Sequence, residues 1–485
     1  MAGKRAKKRV KTTSEDRISK LPDAIILHIL SFLPTKDVVQ TCVLSKRWKL
    51  LWYSVPKLLF CDFSHKNGSC KFVDNCLRLR KKGMKSIPDS VITNFKLRMH
   101  FYERKMACRL DRWLAFAVKN KIKSIELDMR CQYTRKRGHN KFYCLPKTLI
   151  ADGSYLTDLN LCRVEFDSSC QSFSFPSLKS LSLSAVRFAD SDMLDNLLLG
   201  SPSLEKLSLS GCGSTSTADH KLLIHVRNST LKVLEINQRW DLVEKIELIN
   251  LESLILIYVS FDKINPCACK AIRNLTLTCE WGEEELSLLE YLISNLSVLQ
   301  HLTLNNCCKG MLKHIEISSE SLESLNLNNF LDYEMTVRIE SAPKLASICY
   351  KGNIKFSISM AESSDTLTGT FIIPIQRRDY DIIWFINLMN FFLNLNCSWN
   401  RVHLHVGSAE ALILPEDVKR VCRSPLVNWE DLRVLTQCKL ERESDLRDAL
   451  QWISPSLKTL SIAERASLDR FGISSWCCSL HDEYY

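Results

Sequence analysis

The chain has 485 residues, 46% of them hydrophobic and 25% charged, a profile that supplies ample core material and confines any disorder to local segments. Its net charge of +12 comes from 66 Lys plus Arg against 54 Asp plus Glu. Six of the positive charges fall in residues 1–11, and the other six (12 − 6) spread over 474 residues (485 − 11) with local clusters such as Arg135-Lys136-Arg137 but no dominant stripe, so nucleic acid is not an expected partner.

A basic tail is expected over 1–15, and its opening run Met1-Ala-Gly-Lys-Arg-Ala-Lys-Lys-Arg-Val-Lys11 reads either as a nuclear address or as a solvated tail. No secretory apolar region follows, because residues 12–20 are polar or charged apart from Ile18, and the chain is expected inside the cell, in nucleus and cytoplasm. The 21 cysteines never form Cys-x-x-Cys; the nearest approaches are Cys267-x-Cys269, Cys307-Cys308 and Cys477-Cys478. Zinc and redox motifs lack their spacing, and reduced cysteines packed as small hydrophobes are the default.

Residues 21–33 predict one helix, opened by Pro22 and Asp23 and stopped by Pro34. Pro22, Ile25, Ile26, Ile29, Leu30 and Leu33 follow the i, i+3, i+4, i+7 rule, while Leu27 and Phe32 add apolar surface outside that stripe. Thr35 is suited to cap a second helix with Val38, Val39, Cys42 and Val43 on one face, and Ser45 a third, Lys46 to Tyr53, presenting Trp48, Leu51 and Trp52. Three short helices bury too little to stand alone, so a partner or a neighbouring domain must cover the excess.

The run Leu21-Pro-Asp-x-x-x-x-x-Ile-Leu-Ser-Phe-Leu-Pro-Thr-Lys-Asp-Val-Val, then Leu44-Ser-Lys-Arg-Trp48 and Leu51-Trp52, resembles an F-box of the plant type across residues 16–60. The resemblance implies docking onto a Skp-type adaptor, and through it onto cullin and RING subunits of a ubiquitin ligase. By matching position it implies adaptor contact at Leu21, Pro22, Ile25, Ile29, Leu30, Leu33, Pro34, Val43, Leu44, Trp48 and Trp52. Ala24 and Ile25 stand where the family often has an acidic residue and Leu. A competing reading makes these helices a cap on the array that follows.

Residues 61–120 are expected to be a linker and N-terminal cap. Over 121–350 the pattern Leu-x-x-Leu-x-Leu, with Ile as substitute, recurs nine times, beginning at Ile122, Leu156, Leu178, Leu204, Leu231, Leu251, Ile272, Leu299 and Leu322. From Leu156 onward the starts are 20 to 27 residues apart by subtraction, in or near the leucine-rich-repeat range. The second and third Leu, two apart, share the buried side of a strand, and the residue between them faces outward. The expected fold is therefore an α/β leucine-rich-repeat solenoid, with parallel strands on the concave face, helices and loops on the convex face, and a three-helix F-box at the N terminus. Helical returns are expected at Leu194–Leu199 and Glu283–Leu296, a loop at Gly211–Thr217, and turn-closing roles for Cys212 and Cys307. The outward set Asn160, Ser182, Lys206, Ser208, Glu235, Asn274, Thr276, His301, Thr303 and Asn326 is the candidate substrate face; Lys206, Glu235 and His301 are preferred because charge discriminates between partners.

Residues 351–485 are expected to be degenerate repeats, loosely similar to the C-terminal module of plant F-box/FBD proteins. Ser201-Pro-Ser-Leu-Glu-Lys-Leu-Ser and Ser454-Pro-Ser-Leu-Lys-Thr-Leu-Ser are near copies, each after a helical pattern; Phe175-Pro-Ser-Leu-Lys-Ser-Leu-Ser is a third version of the phrase. Ile382 to Leu395 is too short to span a membrane and reads as a buried helix, so no membrane partner is expected. Phosphate-binding, nucleophile-elbow and His-Glu-x-x-His motifs are absent, and His403, His405 and Cys397 fall short of a metal set. The reading is a non-catalytic subunit without a cofactor that presents an unknown protein substrate; a free-standing leucine-rich-repeat scaffold is the alternative.

Overall fold

The computed structural model describes residues 18–464 apart from 19, 64–66, 87–90, 101, 130–141, 169, 171, 191, 215–223, 227–229, 238–242, 280–282, 307–313, 330–333, 362–365, 375–379, 422–423, 425–426 and 438–441. The basic tail, Arg135-Lys136-Arg137, Cys307, most of the Gly211–Thr217 loop and residues 465–485 lie outside the described residues. The chain divides into two compact units, 1–189 and 190–485.

Unit 1 opens with helices α1 (Asp23–Leu30), α2 (Thr35–Gln40) and α3 (Lys46–Leu51). Ser45 caps α3 as expected, its hydroxyl accepting from the Trp48 amide at 3.3 Å. Thr35 does not cap α2: it is the first helical residue, and its hydroxyl instead accepts from the Leu59 amide at 2.7 Å, tying α2 to the first strand. That strand, Lys57–Phe63, pairs in parallel with Asn94–Met99, which pairs with Ser124–Asp128, then Asp158–Cys162 and Ser180–Ser184. Segment 61–120 is thus no linker. It is two strand–helix units, with α4 (Asn67–Ser86) and α5 (Ala107–Lys119) as returns. Val55-x-x-Leu58-x-Phe60 and Ile92-x-x-Phe95-x-Leu97 carry the repeat pattern with Val and Phe in Leu positions, and all six side chains are buried.

Unit 2 continues the same logic through eleven parallel strands: Lys206–Ser210, Val233–Asn237, Ser253–Ile257, Asn274–Cys279, His301–Asn306, Ser324–Asn329, Ser347–Gly352, Thr368–Ile373, Arg401–Val406, Asp431–Thr436 and Thr459–Glu464. Within 351–464 the strands Thr368–Ile373, Arg401–Val406, Asp431–Thr436 and Thr459–Glu464 thus pair in the same parallel manner. Leu457, Leu460 and Ile462 of the last repeat are only half-buried, whereas the equivalent triple Trp429, Leu432 and Val434 one repeat earlier is buried.

Repeat length bears on what the return segment becomes without fixing it, since the 27-residue interval from Lys206 to Val233 holds the strand Ile224–Val226. The interval Asn274 to His301 is 27 residues and holds the helix Glu283–Asn295; the interval Thr368 to Arg401 is 33 and holds Ile382–Leu393. The intervals from His301 to Ser324, Ser347 and Thr368 are 23, 23 and 21 residues by subtraction. Their returns are strands instead, His314–Ser318, Met335–Ser341 and Phe356–Met360, which pair in parallel in a smaller sheet that sequence reading missed. A 12-residue helix is about 18 Å long, and so few residues leave no room for it beside the strand and both turns.

The helix Ile382–Leu393 buries Trp384, Phe385, Leu388, Met389, Phe391 and Phe392, but Ile382, Ile383, Ile386 and Leu393 are exposed. The helix expected there is present, buried along one face and exposed along the other. The turn after a strand recurs in one register: Arg163, Ala185, Gly211 and Tyr258 each follow a strand of the main ladder with φ between 50° and 60°. Only Gly211 adopts that left-handed conformation without a Cβ penalty.

Candidate functional site

The motif that carries the F-box resemblance is partly internal bracing. Arg47 on α3 donates to the Leu21 carbonyl at 2.6 Å and to the Asp23 carboxylate at 2.8 Å, so the Leu21-Pro-Asp and Ser-Lys-Arg-Trp phrases hold each other. Asp23 in the first turn of α1 also meets the positive end of the helix dipole. The core of the unit is Ile26, Leu30, Val38, Trp48, Leu51 and Trp52.

Eleven residues were expected to contact an adaptor, and the structure divides them. Leu30, Trp48 and Trp52 are 1%, 5% and 3% exposed; they are core residues, and the expectation that they touch an adaptor is corrected. The physical reason is register: Leu30 lies four residues after Ile26 on the inward stripe of α1, and the α3 tryptophans are the bulkiest groups available to fill a three-helix core. Leu21 and Pro34 are half-buried. Pro22, Ile25, Ile29, Leu33, Val43 and Leu44 are exposed, Val43 and Leu44 to 87% and 64%. Phe32, absent from the expected set, is 66% exposed and stands edge-on to His28 with Lys57 over its ring. Its position outside the i, i+3, i+4 stripe was the signal that it points away from the core.

Two apolar groups result, one on α1 and its C-terminal turn and one on the turn Thr41–Leu44. They sit at opposite ends of the six-residue α2, a span of about 9 Å. The other flank of α1 lines a groove of about 430 Å³ with Ala24, Leu27, His28 and Ser31 facing Pro56 and Thr93.

Arg80, fully buried on α4, fastens this unit to the first repeat. It donates to the Trp52 carbonyl at 2.7 Å and to the Val55 carbonyl at 2.5 Å, with its guanidinium 5.7 Å from the Trp52 ring. Burial pulls its pKa down to about 10, still far above neutrality, so the side chain is charged.

In unit 2 the expected outward positions do face solvent: Lys206, Asn274 and His301 are exposed, and Ser208, Glu235, Thr276, Thr303 and Asn326 half-exposed. In unit 1 Asn160 is exposed and Ser182 half-exposed. Glu235 stands opposite Ser208 and Ile255, and His301 opposite Asn274 and Ser324, so Lys206, Glu235 and His301 share the face without clustering. Short side chains on the face bond to one another: Asn328 Nδ2 donates to Asn305 Oδ1 at 2.7 Å, and Asn305 Nδ2 to Thr278 Oγ1 at 2.7 Å.

The charged corner of this face lies on the strands Arg401–Val406 and Asp431–Thr436. Arg401 Nε meets Asp431 Oδ2 at 2.6 Å, a bond that holds the Asp431 carboxyl below its ordinary range. Burial first, then Arg433 and Arg401, pull the His403 pKa down, with Asp431 acting the other way. Burial pushes the Cys397 thiol up to about 12, which disfavours the thiolate a metal would need. Among the described residues no group of three metal-ligating side chains comes together. Cys212 is buried with its Sγ 3.8 Å from the Ser210 carbonyl, consistent with the turn-closing role.

A braced helical unit with exposed apolar groups, followed by parallel strand repeats, defines the class: an F-box unit joined to leucine-rich repeats. Comparison with known families agrees, and the chain carries an F-box domain over residues 18–60 and, over 88–265, a match to the family described as At1g61320/AtMIF1, LRR domain. Among curated Arabidopsis thaliana proteins, the Probable FBD-associated F-box protein At1g32375 is 32% identical over 229 residues, 46% of this chain and 50% of that protein. The F-box/FBD/LRR-repeat protein At1g78750 is 35% identical over 204 residues, 40% of this chain and 42% of that protein. A second F-box/FBD/LRR-repeat protein, At2g04230, is 33% identical over 201 residues, again 40% and 42%. The chain spans about half the length of the curated relatives it matches.

Proposed function

We propose that the chain is a non-catalytic substrate receptor: the N-terminal helices dock a Skp-type adaptor, which joins it to the cullin and RING subunits of a ubiquitin ligase, and the open repeat face holds a protein substrate. The observation that carries this is the exposure of Ile25, Ile29, Phe32, Leu33, Val43 and Leu44 beside a unit that already has its own core. Full burial of one such side chain is worth about 1.5–3 kcal/mol, and an apolar group set of this size marks an interaction surface. Proteins with an F-box domain generally act in this way. On the repeat face Lys206, Glu235 and His301 remain candidate substrate contacts, each solvent-facing and able to discriminate by charge or hydrogen bonding. We place the protein in nucleus and cytoplasm, a reading supported by the six cations of residues 1–11.

The test is reconstitution. Full chain, purified adaptor, cullin, RING subunit, conjugating enzyme and ubiquitin should yield ubiquitin conjugates that depend on the chain, and the double variant Val43→Asp, Leu44→Asp should lose them. Conjugation at the same rate with the double variant would remove the docking assignment from these residues, whereas a wild type that fails to join the complex would favour the free-standing scaffold.

A further inference from the structure

Across the strands Ser253–Ile257, Asn274–Cys279 and Ser324–Asn329 the open face of unit 2 is uncharged, offering Ser253, Ile255, Asn274, Thr276, Ser324 and Asn326. Charge returns at the far end. Lys351, Arg401, His403 and Arg433 all face solvent there, and on the strands Arg401–Val406 and Asp431–Thr436 they meet the carboxylate of Asp431. Register sets their positions: His403 lies between Thr370 and Arg433, and Arg401 between Thr368 and Asp431. Adjacent strands are about 4.8 Å apart, so Arg433 stands close enough to His403 to disfavour its protonation. Asp431 is committed to Arg401 at 2.6 Å, and no carboxylate pairs with Arg433 among the described residues.

We infer that this corner binds an acidic segment of a partner protein, with one carboxylate lodged between Arg433 and His403. The inference rests on the receptor reading above and names the class of substrate it would take. One uncompensated guanidinium beside a neutral imidazole matches the single charge of a carboxylate better than a doubly charged phosphate, which favours a cluster of arginines.

The charged groups around His403 give the binding a pH signature. Its own strand contributes Arg401 and His405, the strand Asp431–Thr436 contributes Asp431 and Arg433, and the strand Thr368–Ile373 contributes only Thr368, Thr370 and Ile372. His403 is held below its ordinary pKa by burial and by the two arginines. An incoming carboxylate opposes both arginines and raises that pKa, so the complex takes up a proton and affinity increases as pH falls toward 6.

The probe is a fluorescein-labelled ten-residue glutamate peptide, titrated into the full chain by fluorescence anisotropy at low salt. Arg433→Glu should weaken binding by roughly ten-fold or more, since it removes one attraction and adds one repulsion. Asp431→Asn should tighten it, Lys147→Glu in unit 1 should leave it unchanged, and His403→Gln should abolish the gain in affinity between pH 7.5 and 6. Equal affinity for wild type and Arg433→Glu overturns the inference, since the basic tail common to both would then be the binding element. A phosphoserine peptide of the same length binding where the glutamate peptide does not would also overturn it. Adaptor capture by the same preparations separates the two failures: adaptor bound without peptide sinks only this inference, and peptide bound without adaptor sinks only the ligase reading.

Discussion

Replacing Arg80 by Met should loosen the junction between the helical unit and the first repeat. Arg80 is 0% exposed and supplies both hydrogen bonds that reach the carbonyls of Trp52 and Val55 from α4. Without Arg80 the Trp52 carbonyl keeps only the Val55 amide at 3.4 Å and the Val55 carbonyl loses its donor, and a buried acceptor left unmatched costs about 1–3 kcal/mol. Met keeps the apolar stem against Trp52 and removes the cost of burying a guanidinium, which offsets part of that loss. The net effect is a local destabilisation of about 2 kcal/mol. Arg80→Lys retains charge but cannot fork to two carbonyls, and should fall between wild type and Arg80→Met. Long repeat arrays need not unfold in one step, so the appropriate readout is local. Amide hydrogen exchange over 48–60 should accelerate by roughly 30-fold or more in Arg80→Met, the equivalent of about 2 kcal/mol, with exchange in unit 2 unchanged. Unchanged protection at 48–60 would refute the clamp.

Other expectations follow from packing and charge. A Cβ at Gly369 would lie 2.8 Å from the rings of Phe371 and Trp399, so Gly369→Ala should cost about 1–3 kcal/mol by overpacking in a urea melt of the full chain. Ser454 is fully buried, donating to the Val427 carbonyl at 2.7 Å and accepting from the Trp429 amide at 3.1 Å. Ser454→Ala should cost about 1–3 kcal/mol by leaving both groups unmatched, read as faster amide exchange at Trp429. Deleting residues 2–11 from a fluorescent fusion should move signal from nucleus to cytoplasm; an unchanged distribution would leave the run as a solvated tail.

The nine Leu-x-x-Leu-x-Leu matches each became a strand of the parallel ladder because the motif encodes both the buried side and the spacing. What escaped had different bulky groups in the same register. Leu345-x-x-Ile348-x-Tyr350 packs as the Leu triples do. At Gly369 the central position has no side chain at all, and the Trp399 ring occupies the space. The two strands before residue 100 were hidden twice, by Val and Phe in Leu positions and by returns as long as the 20-residue α4. The near-copied Ser-Pro-Ser-Leu phrases were legible as repeats, but the reason for Ser at their head was not. Ser201 and Ser454 are fully buried and bond backbone carbonyls at the end of a return helix.

The exposed apolar arc was legible in part. Helical periodicity showed that α1 carries more apolar surface than one contact needs, yet it could not say which stripe faces inward. The three-dimensional packing settles that Ile26 and Leu30 do, leaving Ile25, Ile29 and Phe32 outside. The charged corner at Arg401, His403 and Arg433 was invisible as a unit, since its members come together only through the register of two strands about 30 residues apart in sequence.

Docking is tested most directly by adaptor stoichiometry on size-exclusion chromatography. Wild type and Leu30→Ala should both be measured beside Val43→Asp, Leu44→Asp, with thermal unfolding of each. Wild type should co-elute with a Skp-type adaptor at one to one, and the Val43, Leu44 variant should elute free of it while unfolding at the wild-type temperature. Leu30→Ala should lower the unfolding temperature, because a buried Leu truncated to Ala costs about 2–5 kcal/mol. A stoichiometric complex with the Val43, Leu44 variant would contradict the assignment of these exposed residues to the adaptor.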